Sequence, residues 1–321
     1  MKLFKRIAFV LSNHGQEAPE PALLRAVELA KTNQAELTLL KVIPSFSSFL
    51  AFSSDEQTLQ RKFIEQEETM LAQLVASLDK NICIKTLLLT GKRYIETIHQ
   101  VQIHGFDLVM KEPDQLDWLD RLFGSDDMHL LRKCPCPVWL VKRSDTTECK
   151  QILAAVAFDD DEQTHNDELN VAILEFASSL SLSDFATLHV LNSYETPEAG
   201  FISLWAENPE KVEKDMLESE HMTRTGKMRG LMDKLKARIG NDSFQFLSPR
   251  TYIIPGSPDR EVPKMAAKLN IDLVVMGTVA RTGIAGVIIG NTAESVLSQL
   301  NCSVFAIKPK GFVSPLSVPR N

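Results

Sequence analysis

No stretch of this 321-residue chain holds the roughly 20 consecutive apolar residues a bilayer crossing needs, which excludes a helical membrane span. An excess of positive charge is missing as well. Lys and Arg number 35 against 42 Asp and Glu, a net charge of −7, so the chain lacks the cationic surplus of a general nucleic-acid binder. Cysteines are few, and five is an odd number with no framework spacing, which predicts reduced thiols and a cytoplasmic setting. The opening MKLFKRIAFVLSNHG is basic and then apolar, yet its apolar run from Ile7 to Leu11 is too short for a secretory leader and reads as a first strand. GxGxxG, HExxH and GxSxG are absent, Gly91-Lys92 lacks the upstream glycine of a P-loop, and no triad or carboxylate pair is readable. What is present is ordinary globular material, 44% apolar and 24% charged, in a length that suits two domains better than one.

The strongest positive signal is internal repetition. Gly91 and Asp107 lie 16 residues apart, as do Gly256 and Asp272; Gly124 and Cys136 lie 12 apart, as do Gly290 and Cys302. CPVWLVK at 136–142 matches CSVFAIK at 302–308, and the copies are offset by about 165 residues. The chain is therefore a duplication.

Within each copy, short β-branched or leucine-rich runs alternate with amphipathic stretches. The first reads strand KRIAFVL, helix 21–33, strand AELTLLKVI, helix 54–78, strand ICIKTLLL, helix 93–104, strand FDLVM, helix 125–133 and strand PVWLVK. In the long helix, Leu59, Phe63, Met70, Leu74 and Leu78 are predicted to share the buried face. The second copy reads QILAAVAF, helix 167–180, FATLHVLNSY, helix 208–239, FLSPRTYII, helix 259–269, DLVVMG, helix 291–300 and SVFAIK. This alternation predicts an α/β fold: two tandem, doubly wound parallel sheets made of right-handed βαβ units. The expected domains are 1–145 and 146–312, joined by the charged stretch KRSDTTECKQ, with a flexible Pro- and Ser-rich tail at 313–321.

In such sheets ligands sit beyond the carboxyl ends of the strands, and helix N-termini there offer free N–H groups to anions. The second copy suits this: after its fourth strand come Met276, Gly277, Thr278, Ala280, Arg281, Gly283, Gly286, Gly290, Asn291 and Thr292, with glycines for close backbone approach, one cation and a single acid, Glu294. Asn291 and Glu294 are predicted to pair as a helix cap. The corresponding segment of the first copy, KEPDQLDWLDRLFGSDD, carries six acids (Glu112, Asp114, Asp117, Asp120, Asp126, Asp127) against Lys111 and Arg121. Like charges 4 Å apart repel by roughly 1 kcal/mol in water, as much as a helix terminus offers an anion. The first copy is therefore expected not to bind triphosphates.

MGTVARTGIAGVIIGNTAESV followed by NCSVFAIK resembles the signature end of universal stress protein domains, and the resemblance extends over both copies. LLRKCPCPVWLVK and ILAAVAFDDDEQTHNDELN are similar to parts of the subgroup called universal stress protein E. The ATP-binding signature of the family is Gly, two residues, Gly, nine residues, Gly, then Ser or Thr. Here those positions hold Gly277, Ala280, Gly290 and Asn291, so the spacing is kept and two residues are changed. The resemblance implies strand order 3-2-1-4-5 and an intramolecular pseudo-dimer through 138–142 and 304–308, with a homodimer left open. It also implies ATP or another adenine nucleotide, with Mg2+, in the second copy alone. Phosphates would lie near Gly277, Gly290 and Asn291, and adenine near Val190 and Met276. Family ATP binders carry Asp where Ala157 stands; Asp159, Asp160 or Asp161 is the candidate replacement toward the ribose or a metal, and a solvated acidic loop is the blander reading.

Other features carry less. Cys136 matches Cys302 and reads as a structural thiol rather than a metal or redox group. His165 reads as a surface residue. Aromatic loops recur at 45–52 and 201–205, either as packing or as a lid over an apolar ligand. The function expected is a regulatory or protective stress-response protein rather than a dedicated enzyme. The alternatives are a non-nucleotide scaffold or small apolar-ligand binder, and a slow ATPase using Asp159–Asp161 and His165.

Overall fold

The structure is a computed structural model that describes residues 3–12, 19–45, 56–79, 81–113, 126–142, 148–158, 165–196, 205–278 and 290–318. Among these, one compact unit runs to Glu148 and takes in Phe312 to Val318; the other runs from Cys149 to Thr278 and from Gly290 to Gly311.

The first unit follows the alternation of its sequence: β1 (Arg6–Val10), α1 (Pro21–Asn33), β2 (Glu36–Ile43), α2 (Glu56–Ser77), β3 (Ile84–Thr90), α3 (Arg93–His104), β4 (Leu108–Lys111), α4 (Asp126–Lys133) and β5 (Val138–Leu140). Its strands lie in the order β3-β2-β1-β4-β5, all parallel, with Ile7 of β1 set between Leu37 of β2 and Leu108 of β4. The second unit contains β6 (Gln151–Ala155), α5 (His165–Asp184), β7 (Thr187–Tyr194), α6 (Pro209–Ile239), α7 (Asn241–Leu247), β8 (Arg250–Pro255), α8 (Pro258–Lys268), β9 (Leu273–Gly277), α9 (Asn291–Gln299) and β10 (Ser303–Ile307). Its order, β8-β7-β6-β9-β10, repeats that of the first unit and is again parallel. The expected order 3-2-1-4-5 is thus found in both units. Inner strands are buried along almost their whole length, because helices cover both faces, whereas the edge strands β3 and β8 are half exposed.

The residues that revealed the duplication prove to be architectural. Asp107 and Asp272 lie just before β4 and β9 and accept backbone N–H groups where the neighbouring strand begins. Lys5 N–H meets Asp107 at 2.7 Å, and Lys150 and Gln151 N–H meet Asp272 at 2.7 and 2.8 Å. Gly91 and Gly256 turn the chain into α3 and α8 at φ 147° and 137°. A Cβ there would meet Glu96 Oε1 at 3.0 Å or Glu261 Cγ at 2.8 Å, so glycine is required twice over.

Two readings of the sequence need correction. Phe246 and Leu247, expected in a strand, end α7; Gly240 at φ 85° breaks α6 and starts this short extra helix, and β8 begins only at Arg250. In α2, Leu59 and Met70 are exposed and Leu71 is buried, with Leu78 buried just past the helix end, because the helix packs at the sheet edge over a narrower stripe than its apolar residues span. The tail from Phe312 associates with the first unit, where Gln102 Nε2 donates to Leu316 O at 2.7 Å and Ser314 is buried.

Candidate functional site

Beyond the carboxyl end of β6 the chain continues through Val156, Ala157 and Phe158. Asn170 of α5 clamps this exit: its Oδ1 accepts Ala157 N–H at 3.2 Å and its Nδ2 donates to Ala157 O at 2.8 Å. From β7, Asn192 Nδ2 donates to Val156 O at 3.1 Å, and Asn192 Oδ1 is buried without a partner. Ala157 itself is exposed, so its backbone stands at the rim of the crevice. Asp159, Asp160, Asp161, Ala280, Arg281, Gly283 and Gly286 lie outside the described residues, as do the side chain of His165 and loop residues 46–52 and 201–204. Trp205, at the end of the second aromatic loop, is 83% exposed.

The remaining candidates do not form one surface. Val190 is not at the end of its strand: β7 runs on to Tyr194, and Val190 is fully buried opposite Ala154. Met276 is buried within β9. A Cβ at Gly277 would sit 2.9 Å from Leu169 Cδ2 of α5, so that leucine covers the glycine and would have to shift for any side chain there. Thr278 is fully buried; its hydroxyl meets Lys308 Nζ, its N–H donates to Ile307 O at 3.2 Å and its carbonyl accepts Gly290 N–H at 3.3 Å. These bonds tie the exit of β9, the entry of α9 and the end of β10 together. Gly290 has φ −60°, so it needs no left-handed conformation, and it is the N-cap of α9. The N-cap is therefore one position earlier than expected, at a glycine that has no side chain to cap with. Asn291 and Thr292 are exposed, leaving the first turn of α9 open to solvent.

The first unit spends the equivalent positions on itself. Lys111, at the end of β4, forms an ion pair with Asp127 in the first turn of α4, both buried. Glu112 Oε1 accepts Ala22 N–H at 3.3 Å in the first turn of α1, occupying a helix N-terminus with the chain's own carboxylate. Asp126 lies 4.0 Å from Arg93 Nε. The acids expected to crowd the crevice are, for these three, already partnered; Asp114, Asp117 and Asp120 lie outside the described residues.

Sequence reasoning missed Arg224. It sits on α6, whose weak amphipathicity gave no signal, yet it is buried at the strand ends. Its Nη1 donates to Phe158 O at 2.9 Å, its Nε pairs with Glu220, and its guanidinium lies 4.9 Å from the Tyr194 ring. Burial, then the Glu220 carboxylate, pushes the Tyr194 hydroxyl up from its ordinary range. Cys134 and Cys136 are separate buried thiols with sulfurs 3.6 Å apart, and burial followed by the Cys134 thiol pushes Cys136 well up, which makes it unreactive. Among the described residues no group of three or more His, Cys, Asp or Glu is placed to hold a metal ion, and no helix is long and apolar enough to cross a membrane.

Both units are parallel and five-stranded, and in each the strand order reverses between the first and fourth strands. The model of the universal stress protein family matches twice, over residues 3–142 and 154–308. The chain belongs to the universal stress protein family. It is 30% identical to universal stress protein E of Escherichia coli K12, over 99% of this chain and 98% of that one. The universal stress protein E homolog of Haemophilus influenzae is 28% identical, with 95% and 98% covered. A universal stress protein from Archaeoglobus fulgidus shares the fold at TM-score 0.62 and 17% identity, covering 94% of this chain and 98% of its own. As a tandem universal stress protein, the chain carries both copies of the domain in one polypeptide, and the copies have diverged at the strand-four turn.

Proposed function

We propose that this universal stress protein is a cytoplasmic regulatory or protective factor in which only the second unit takes an adenine nucleotide. The observation that carries this reading is the contrast between two equivalent helix entries. The first turn of α9 follows a glycine N-cap and has Asn291 and Thr292 exposed with one acid, Glu294, whereas α4 opens on the adjacent acids Asp126 and Asp127. Backbone N–H groups of an open first turn attract phosphate, whereas in the first turn of α4 the chain's own carboxylates already stand there, Asp126 beside Arg93 and Asp127 on Lys111. Asn291 and Thr292 would hold the phosphates, with the exposed Ala157 backbone at the rim; Val190 and Met276 serve as interior packing. Thermal unfolding with ATP and Mg2+ tests the reading, because ligand at 100 times its Kd adds about 2.7 kcal/mol. Thr292→Asp, which copies Asp126 of the first unit, should abolish that gain. A wild-type melting curve that ATP does not move refutes the reading.

A second reading, a binder of small apolar ligands without nucleotide, draws on different observations. Leu169 covers Gly277, the Thr278 hydroxyl is committed to Lys308, and Trp205 stands exposed. It gains if an apolar fluorescent probe, and not ATP, protects the second unit.

A further inference from the structure

The duplication supplies an internal control for every helix contact, and one contact differs sharply between the units. In the second unit α8 meets α9 through neutral hydrogen bonds to one acid. Ser295 Oγ donates to Asp259 Oδ2 at 3.4 Å, and Gln299 Nε2 donates to Asp259 O at 2.9 Å. The repeat places Tyr94, His129 and Lys133 of the first unit where Asp259, Ser295 and Gln299 stand in the second. There the contact is a stack: the Tyr94 and His129 rings lie 4.3 Å apart, and Lys133 Nζ lies 5.1 Å from the Tyr94 ring centre. The position held by Ser257 in the second unit is Lys92 in the first, a cation on the N-cap of α3, where the helix dipole disfavours it. Packing two helices in this fold therefore requires none of these cations.

The surrounding charges do not absorb them. Asp126 faces Arg93 at 4.0 Å, and Glu96 is folded against Gly91, 3.8 Å from His99 Nδ1. Among the described residues neither Lys92 nor Lys133 has a carboxylate partner, and His129 Nδ1 is buried without a hydrogen bond. In a chain of net charge −7 this is, among the described residues, a local surplus of positive charge beside a flat aromatic stack.

We propose that the face where α3 meets α4, built from Lys92, Tyr94, His129 and Lys133, is a binding surface for a phosphate-bearing anion. Lys133 Nζ lies over the stack and Lys92 stands on the N-cap of α3, two residues before Tyr94, and a multiply charged phosphate offsets two cations together, which a single carboxylate does less well. The surface belongs to α3 and α4 of the first unit and is independent of nucleotide binding in the second. It also has a built-in reporter. Burial, then Lys133 and Arg132, holds the His129 imidazole below its ordinary range, with Lys92 adding to the effect and Asp126 opposing it. Arg93, Glu96 and His99 complete the charged and titratable groups of α3 near it. An anion that screens the lysines must move the His129 titration upward.

The test is an NMR titration of the histidine rings in the full chain with inorganic triphosphate, and in a second arm with ATP. Triphosphate should raise the His129 midpoint while leaving that of His104, at the far end of α3, in place. Lys92→Ser with Lys133→Gln, the residues of the second unit, should weaken triphosphate about tenfold, equivalent to about 1.4 kcal/mol. Equal responses to triphosphate and ATP assign the recognition to the phosphates; a response to ATP alone overturns the proposal, because the base would then carry binding. An unmoved His129, or equal movement of His104, also overturns it. The wild-type titration decides alone if the double variant folds poorly.

Discussion

The buried pair Lys111–Asp127 can be exchanged for residues already known to suit its position, because the second unit holds Met276 and Ala293 at the equivalent places. The two side chains are 1% and 7% exposed, so each charge leans on the other in place of water. Asp127→Ala alone removes the carboxylate paired with a buried ammonium group, and Lys111→Met alone removes the cation paired with a buried carboxylate. Each should cost about 3–5 kcal/mol, so additive behaviour would bring the pair to about 6–10 kcal/mol. The double variant removes both charges and their desolvation together. It should lie between a loss of about 1 kcal/mol, the share of Asp127 at the α4 dipole, and a gain of a few kcal/mol. Denaturant unfolding followed by Trp139 fluorescence, with Trp118→Phe and Trp205→Phe as background, reads the first unit, where Trp139 is buried on β5. A double variant as unstable as the summed singles would refute the reasoning, as would single variants that cost under about 1 kcal/mol, the value for a solvated surface pair.

Three further outcomes follow from the same physics. His189 is buried between Gln151 Oε1 at 2.8 Å and Tyr252 Oη at 3.1 Å, and burial, then Arg250, lowers its pKa. The unfolded chain therefore binds the extra proton first: stability is full above the ordinary value of about 6.5 and falls as pH drops below it, and His189→Gln should flatten unfolding free energies measured between about pH 7 and 5. Gly256→Ala forces a Cβ to 2.8 Å from Glu261 Cγ at φ 137° and should lose about 1–3 kcal/mol in calorimetry, whereas Gly226→Ala, with open space in α6, should gain about 0.4–1 kcal/mol. Asp272→Ala removes the acceptor of two N–H groups at the start of β6; a loss of about 1–3 kcal/mol and faster amide exchange at Lys150 and Gln151 are expected.

By itself the sequence determined the duplication, the parallel α/β class and most element limits. It could do so because those properties are written in local periodicity and in spacings that survive the divergence of side chains. The helix read at 93–104 is α3 to the residue, and the Gly–Asp spacing marks a turn and a strand clamp that any copy of this fold must keep. Where local signals conflicted, the reading failed: Phe246 and Leu247 read as the start of the strand FLSPRTYII, and only the break at Gly240 shows that they end a second helix. Tertiary structure alone decided what the turn residues do. Lys111 finds Asp127 across 16 positions, Glu112 reaches Ala22 across 90, and Leu169 of α5 arrives over Gly277 of β9. Partners so distant in the chain leave no periodic trace, so Asp127, Glu112 and Asp126 read from sequence as part of a repulsive crevice and in three dimensions as carboxylates set against the chain's own cation, helix and arginine.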